Sequence, residues 1–233
     1  MEVFAVRRII VAIDGPSGAG KSTVSKLLAK ALGYIYVDTG AMYRAIGWKA
    51  VKEGVTPKEG PELTALCERT EVTLRSDGDR GVRVYVDGAD VTDEIRTPAM
   101  SMMASAISAQ PSVRARLLEL QRAMGRQGGV VLEGRDIGTV VFPDAQAKFY
   151  LDADVKERAK RRYDELLARG EDVDFDRTVE EVARRDYDDS HRDIAPLKRA
   201  DDALLVDSTK MSVDEVVAFM RAKVEEIARG LGA

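Results

Sequence analysis

Hydrophobic and polar positions change period several times along the chain, and each change marks an element. The unbroken apolar run Ile9-Ile10-Val11-Ala12-Ile13 has the texture of a strand buried on both faces. It ends at Asp14 in a glycine-rich loop, after which Val24, Leu27, Leu28 and Ala31 recur at helical spacing. Tyr34-Ile35-Tyr36-Val37 reads as a second short buried strand. A helix follows from Asp38 to about Glu53, stopped by Gly54 and Pro57, and another spans about 59 to 69. Between Glu71 and Thr92 the period drops to two: Val72, Leu74, then Val82, Val84 and Val86, punctuated by Ser76-Asp77-Gly78-Asp79 and by Asp87-Gly88. That spacing predicts antiparallel hairpins, which do not fit inside a parallel sheet and so imply a small inserted β subdomain.

Helical signals resume at Thr97-Pro98, where Thr can cap and Pro can occupy the first turn. They resume again at Gln110-Pro111-Ser112, after which Val113, Leu117, Leu120 and Met124 share one face. The stretch from Gly128 to Gly138 reads as an apolar strand running into charged residues held between glycines, the form of a ligand-bearing strand end in an open parallel sheet. A strand from Lys148 to Asp152 precedes a basic helix from Val155 to Arg169. A helix of about Asp176 to Tyr187 leads to an arginine-rich turn, and Ala203-Leu204-Leu205-Val206-Asp207 makes a last strand. The C-terminal helix carries Val213, Val216, Val217, Met220, Val224 and Ile227 as a core-facing stripe.

The loop after the first strand spells GxxxxGKS from Gly15 to Ser22, and strand, loop and helix together form a phosphate cradle. Glycines let successive backbone N–H groups point at phosphate oxygens, where the new helix begins with its positive dipole end. The residues from Gly15 through Pro16, Ser17, Gly18, Ala19, Gly20, Lys21 and Ser22 to Thr23 are therefore the candidate nucleoside triphosphate site. Lys21 supplies a mobile charge for the β and γ phosphates, and the Ser22 hydroxyl is placed to ligate Mg²⁺.

Composition narrows the class. With 233 residues, 45% hydrophobic and 33% charged, the chain suits one embellished α/β domain or at most two small ones. No apolar run approaches the roughly 20 residues of a membrane span, and Met1-Glu2-Val3-Phe4-Ala5-Val6 lacks the features of a secretory signal, so a cytoplasmic location without membrane partners is expected. The net charge of −4 argues against nucleic acid as a partner. Cys67, the single cysteine, sits at helical spacing from Leu63 and reads as a small core residue. The chain contains no Asn, which removes the base-reading Asn-Lys-x-Asp segment of a nucleotide switch. A compact kinase acting on small molecules remains.

Phosphoryl transfer demands positive charge around the travelling group. Arginines stand in four places: Arg44, Arg135, the trio Arg158, Arg161 and Arg162, and the set Arg184, Arg185 and Arg192. The trio falls at i, i+3, i+4, hence on one helix face. It reads either as a solvated basic surface or, with the flexible exit Arg169-Gly170, as a small lid closing over the phosphates.

Five segments in order resemble bacterial cytidylate (CMP/dCMP) kinases: Gly15 to Thr23; Asp38-Thr39-Gly40-Ala41-Met42-Tyr43-Arg44; Gly134-Arg135-Asp136-Ile137-Gly138-Thr139; Arg185-Asp186 through Asp189 to Arg192; and Ala195-Pro196-Leu197 with Val206-Asp207-Ser208-Thr209. The resemblance spans nearly the whole chain, the β insertion included. It implies a P-loop NTPase-type α/β fold, a parallel sheet flanked by helices, with an inserted antiparallel β subdomain and a short helical lid. The implied core is 1–38, 111–157 and 172–233, the monophosphate-binding region 39–110 with its insertion at about 71–92, and the lid 158–171.

The implied reaction moves the γ-phosphoryl of ATP to CMP or dCMP with Mg²⁺, in a chain expected to act as a monomer. The resemblance implies that Thr39, Arg44 and Arg135 hold the acceptor phosphate, and that Ser105, Arg114, Asp136 and Arg192 read cytosine. Arg185 and Asp189 would hold the sugar hydroxyls. Lys21, Arg135, Arg158, Arg161 and Arg162 would neutralise charge in flight. Glu133 stands at a strand end where many relatives have Asp, placed to position Mg²⁺ through water.

Elementary chemistry agrees with that map. Cytosine carries an exocyclic amino donor, which a carboxylate such as Asp136 accepts, whereas uracil would face it acceptor to acceptor. His191, the single histidine, reads as a solvated neighbour of Arg192, because an ionised phosphate acceptor needs no general base. Two alternatives stay open: a kinase for another small acceptor such as UMP, AMP or a shikimate-like molecule, and a non-catalytic ATP-binding module.

Overall fold

The computed structural model describes residues 8–77 and 82–231. The N-terminal residues and Gly78 and Asp79 of one expected turn lie outside the described residues. The elements run β1 (Ile10–Asp14), α1 (Lys21–Leu32), β2 (Ile35–Asp38), α2 (Thr39–Lys52), α3 (Pro61–Arg69), β3 (Val72–Ser76), β4 (Val82–Val86) and β5 (Ala89–Asp90). There follow α4 (Pro98–Ser108), α5 (Pro111–Gly125), β6 (Val130–Gly134), β7 (Ala147–Asp152), α6 (Val155–Ala168), α7 (Phe175–His191), β8 (Leu204–Asp207) and α8 (Val213–Gly230). The described residues divide into two compact units, 8–36 with 125–231 and Val37–Met124.

The first unit is built on a five-stranded sheet of order β2-β6-β1-β7-β8. β1 pairs in parallel with β6 and β7, so Asp14 lies beside Gly134 and Tyr150, and Ile13 beside Glu133. β1 is paired along both edges and buried from Val11 to Asp14, which explains its unbroken apolar run. The edges differ. β2 was expected to be buried, but it borders only β6, and Ile35 is 60% exposed, with only Val37 of that strand buried. At the other edge Leu204 and Leu205 are exposed on β8.

Val24, Leu28 and Ala29 of α1 and Val216, Met220, Val224 and Ala228 of α8 pack with Val11, Ile13, Val131, Phe149 and Leu151 in one core. Each such fully buried aliphatic or aromatic side chain contributes about 1.5–3 kcal/mol, so this layer is a principal source of the unit's stability. The stripe expected on α8 is correct through its middle. Val213, in the first turn, faces solvent instead, and Ala228 completes the buried row at the far end. Ser212 and Glu215 close a capping box at its start.

In the second unit Asp38 caps α2 by accepting from the Ala41 amide at 2.9 Å, and Thr97 caps α4 at Met100, with Pro98 in the first turn. Helices α2 and α4 approach closely at Gly47, where an added Cβ would lie 2.6 Å from Met103 Cγ. The core joins Met42, Ile46, Leu66, Val84, Val86, Ile107 and Leu117. Cys67 belongs to it, and burial pushes its thiol pKa up, as suits an inert core residue. β3 and β4 pair antiparallel, as do β4 and β5. Asp87 (φ 50°) and Gly88 (φ 82°) are both left-handed, the requirement of a two-residue hairpin turn.

Among the described residues no helix is long and apolar enough to cross a membrane.

Candidate active site

The loop between β1 and α1 is shaped by contacts only glycine allows. Gly15 has φ 150°, and a Cβ there would sit 2.0 Å from the Leu151 carbonyl oxygen. A Cβ at Gly18 (φ 75°) would sit 2.7 Å from the Arg158 carbonyl oxygen. Gly20 starts α1 in the left-handed region without a side-chain cap, so the first helical amides have no intrinsic acceptor. Pro16 and Ala19 are buried, Ser17 is half-buried, and Ser22 and Thr23 are exposed at the first turn of α1.

Lys21 is buried, and its Nζ donates to the Pro16 carbonyl at 2.6 Å. Desolvation, reinforced by the Arg135 charge and opposed by Glu133, pulls its pKa down to about 7. The nearby arginines are matched to carboxylates: Arg135 Nε donates to Asp189 at 2.8 Å, Arg158 NH1 to Asp186 at 2.6 Å, and Arg192 NH2 lies 3.7 Å from Asp136 Oδ1. Burial alone would weaken the proton affinity of Arg135, but the Asp189 charge and hydrogen bond together with the Glu133 and Asp186 charges outweigh it and raise the pKa. Burial likewise pushes the Asp189 carboxyl up, and Arg135 and Arg185 together pull it below the ordinary carboxylate value. Lys21 differs from Arg135 and Arg158 in that its Nζ hydrogen bond goes to a carbonyl and not to a carboxylate.

Ser17 ties the loop to two helices. Its carbonyl accepts from Arg158 NH1 at 3.0 Å, and its hydroxyl accepts from Arg185 NH1 at 3.3 Å. Within the trio of α6, Arg158 is the member that bonds the loop among the described residues. Arg161 donates to the carbonyl and hydroxyl oxygens of Ser208, and Arg162 donates to Glu165. The segment 158–168 is thus the body of a helix that starts at Val155, and Arg169 and Gly170 end it.

Beyond β6 the chain makes a tight π-turn, Ile137–Val141, in which the Asp136 carbonyl accepts from Val140 and Val141. Asp136 is buried, and Arg192, steadied by its Nε bond to the Ala195 carbonyl at 2.7 Å, is its neighbour. Glu133 is buried at the end of β6 and accepts from the Tyr36 hydroxyl. His191 is exposed and stacks on Tyr187, ring centroids 4.0 Å apart.

Thr39, Arg44, Ser105 and Arg114 belong to the second unit. Thr39 is buried at the start of α2, and Arg44 NH2 donates to Asp38 at 2.9 Å, close over Gly40. Arg114 is buried, donates to the Ser108 carbonyl at 3.2 Å and lies over the Tyr43 ring. Ser105 is half-buried on α4, one turn before Ser108.

Four residues absent from the sequence-based set carry structural duties at the site: Asp14, Tyr36, Asp38 and Asp186. Asp38 had a legible signal, an acidic residue just before a helix. The others are joined to their partners across 97 to 124 positions or, for Asp186, across 28, and no local pattern reveals such pairs.

A profile of the cytidylate kinase family matches residues 11–226. The chain is 56% identical to the cytidylate kinase of Geobacter sulfurreducens over 98% of both chains. It is 52% identical to that of Pelotomaculum thermopropionicum over 92% of this chain and 95% of the relative. Among solved structures, an uncharacterized protein from Eubacterium ventriosum superposes with a TM-score of 0.52 at 14% identity, over 94% of this chain and 99% of the other, a likeness of fold. A profile that runs nearly end to end and relatives above half identity leave one assignment: this chain belongs to the cytidylate kinase family.

Proposed function

We propose that the protein transfers the γ-phosphoryl group of ATP to CMP or dCMP, giving ADP and CDP or dCDP. The observation that carries this reading is Lys21, a buried ammonium whose pKa is pulled to about 7 beside Arg135 and whose hydrogen bond, among the described residues, goes to the Pro16 carbonyl in the glycine loop. Such a group gains most from a polyanion. Residues Gly15 to Thr23 hold the triphosphate, with backbone amides at the start of α1 facing its oxygens. In the transfer, the bond between the γ phosphorus and the β–γ bridging oxygen breaks as a bond forms to an acceptor phosphate oxygen. No base is required, since that oxygen is already ionised.

Thr39, Arg44 and Arg135 hold the acceptor phosphate, and Arg185 and Asp189 the sugar hydroxyls. Ser105, Arg114, Asp136 and Arg192 read the base, and Lys21 and Arg135 with Arg158, Arg161 and Arg162 of the 158–171 lid neutralise charge in flight. The core of 1–38, 111–157 and 172–233 and the monophosphate-binding region of 39–110 complete this division of labour. Mg²⁺ fits the donors present: the exposed Ser22 hydroxyl and the Glu133 carboxylate are hard oxygens of the kind it prefers. When bound, the ion neutralises β and γ phosphate charge. In this reading the enzyme works in the cytoplasm as a monomer, on small molecules rather than nucleic acid.

The decisive experiment is ADP release with ATP against CMP, dCMP, UMP, AMP and shikimate. Turnover is expected with CMP and dCMP, well above UMP. Preference for another acceptor would replace the reading, and ATP binding without acceptor-dependent turnover would make the protein a non-catalytic module. In Asp136→Ala the CMP advantage over UMP should narrow by about tenfold or more, the consequence of removing a buried polar match worth roughly 1–3 kcal/mol.

A further inference from the structure

The π-turn that follows Asp136 raises a question of helix capping. An aspartate at this position ordinarily spends its carboxylate on the amides of the turn it precedes. Asp136 does not: its side chain makes no cap bond. The cap comes from 123 positions away in sequence. Asp14 Oδ1 accepts from the Ile137 amide at 2.8 Å, and Oδ2 accepts from the Gly138 amide at 2.7 Å. Both Asp14 and Asp136 are buried.

The placement of Asp14 is fixed by elements already described. It is the last residue of β1, beside Gly134 in the sheet register, and the residue before Gly15 of the phosphate loop. At Gly138 a Cβ would lie 3.4 Å from Asp14 Oδ2 and 3.2 Å from the Lys148 stem, so both side chains close over this residue. Lys148, in turn, anchors the far side of the same loop by donating to the Pro143 carbonyl and to Asp202.

The geometry points to Asp14 as a positioning residue for base selection: by capping Ile137 and Gly138 in place of Asp136, it leaves the Asp136 carboxylate beside Arg192 to face the acceptor base. The inference rests on the proposed role of Asp136 and extends it to a residue that touches no substrate. It also ties the strand carrying the phosphate loop to the loop carrying the base reader, through one side chain. Burial, opposed by the two amides, pushes the Asp14 pKa up to about 6, the mark of a carboxylate desolvated for a structural bond.

The test is a double-mutant cycle read as the ratio of kcat/KM for CMP to that for UMP. Asp14→Asn keeps the size and one acceptor oxygen. It should raise KM for CMP about tenfold and cut the CMP to UMP ratio by a similar factor, with KM for ATP changed less than about twofold. In an Asp136→Asn background the same Asp14→Asn change should alter the ratio by less than about twofold, because Asp14 acts through Asp136. A merely structural Asp14 would lower the melting temperature while leaving the ratio intact, or shift KM for ATP and CMP together. Either result overturns the inference. Full additivity in the double variant overturns it too. Should wild type show no CMP preference, the acceptor assignment fails instead, which the wild-type arm shows by itself.

Discussion

Arg135 and Asp189 form a buried charge pair in the first unit: Arg135 Nε donates to Asp189 Oδ2 at 2.8 Å, with the Asp189 side chain only 5% exposed. A guanidinium proposed to meet both the acceptor phosphate and the travelling phosphoryl group is thereby held in one orientation before any nucleotide arrives. Pre-set orientation is what makes an electrostatic contribution effective at the moment of transfer.

Removing Asp189 strands that buried charge. Asp189→Ala should cost about 3 kcal/mol of stability, read by urea denaturation. The native carboxyl pKa is depressed, so its stabilisation is present above the unfolded value of about 4 and is lost as pH falls through the native one. Asp189→Asn should therefore show a shallower loss of stability below about pH 4 than wild type. Identical acid limbs would show that the pair contributes nothing to folding.

Lys21 behaves in the opposite sense. Its native pKa of about 7 lies below the unfolded value of about 10.4, so the native state binds fewer protons across that window and stability rises with pH through it. Phosphate charge restores the proton. At pH 8, ATP binding should take up close to one proton, measured by calorimetry in buffers of different ionisation enthalpy, and Lys21→Met should abolish the uptake. Turnover in Lys21→Ala should fall by about 10²–10³-fold with an unchanged circular dichroism spectrum. No proton uptake by wild type at pH 8 would show that Lys21 is already charged in the free enzyme.

Gly15 makes a backbone prediction. With φ at 150° and only 2.0 Å between a would-be Cβ and the Leu151 carbonyl oxygen, Gly15→Ala must move β7 or the loop. A loss of at least about 3 kcal/mol is expected, or roughly 6–12 °C in Tm for a chain of this size. Gly33→Ala is the comparison. Gly33 is left-handed too, but a Cβ there has nothing within 4 Å, so it should lose only the conformational part, about 1 kcal/mol. Equal losses would show that the contact with Leu151 relaxes without cost.

Much of the architecture was legible because it follows from local rules. The apolar run of β1, the caps at Asp38 and Thr97, and the Asp87-Gly88 turn each carry their reason within a few residues. The buried-strand reading of Tyr34 to Val37 failed because burial there depends on how many neighbours a strand acquires, and β2 acquired one. The same dependence put Val213 in solvent at the first turn of α8.

The sequence by itself determined the chemistry on offer. Spacing within a few residues settled a phosphate loop, the arginines to surround it and a carboxylate between glycines, because N–H groups, glycine dihedrals and helix periods are short-range properties. Only the tertiary structure decided which charges meet. Arg135 chose Asp189 over 54 positions, Arg158 chose both Asp186 and Ser17, and Asp14 took the cap that Asp136 gave up. The packing of a parallel sheet brings distant strand ends side by side, and the cost of burying an unmatched polar group then selects the partners.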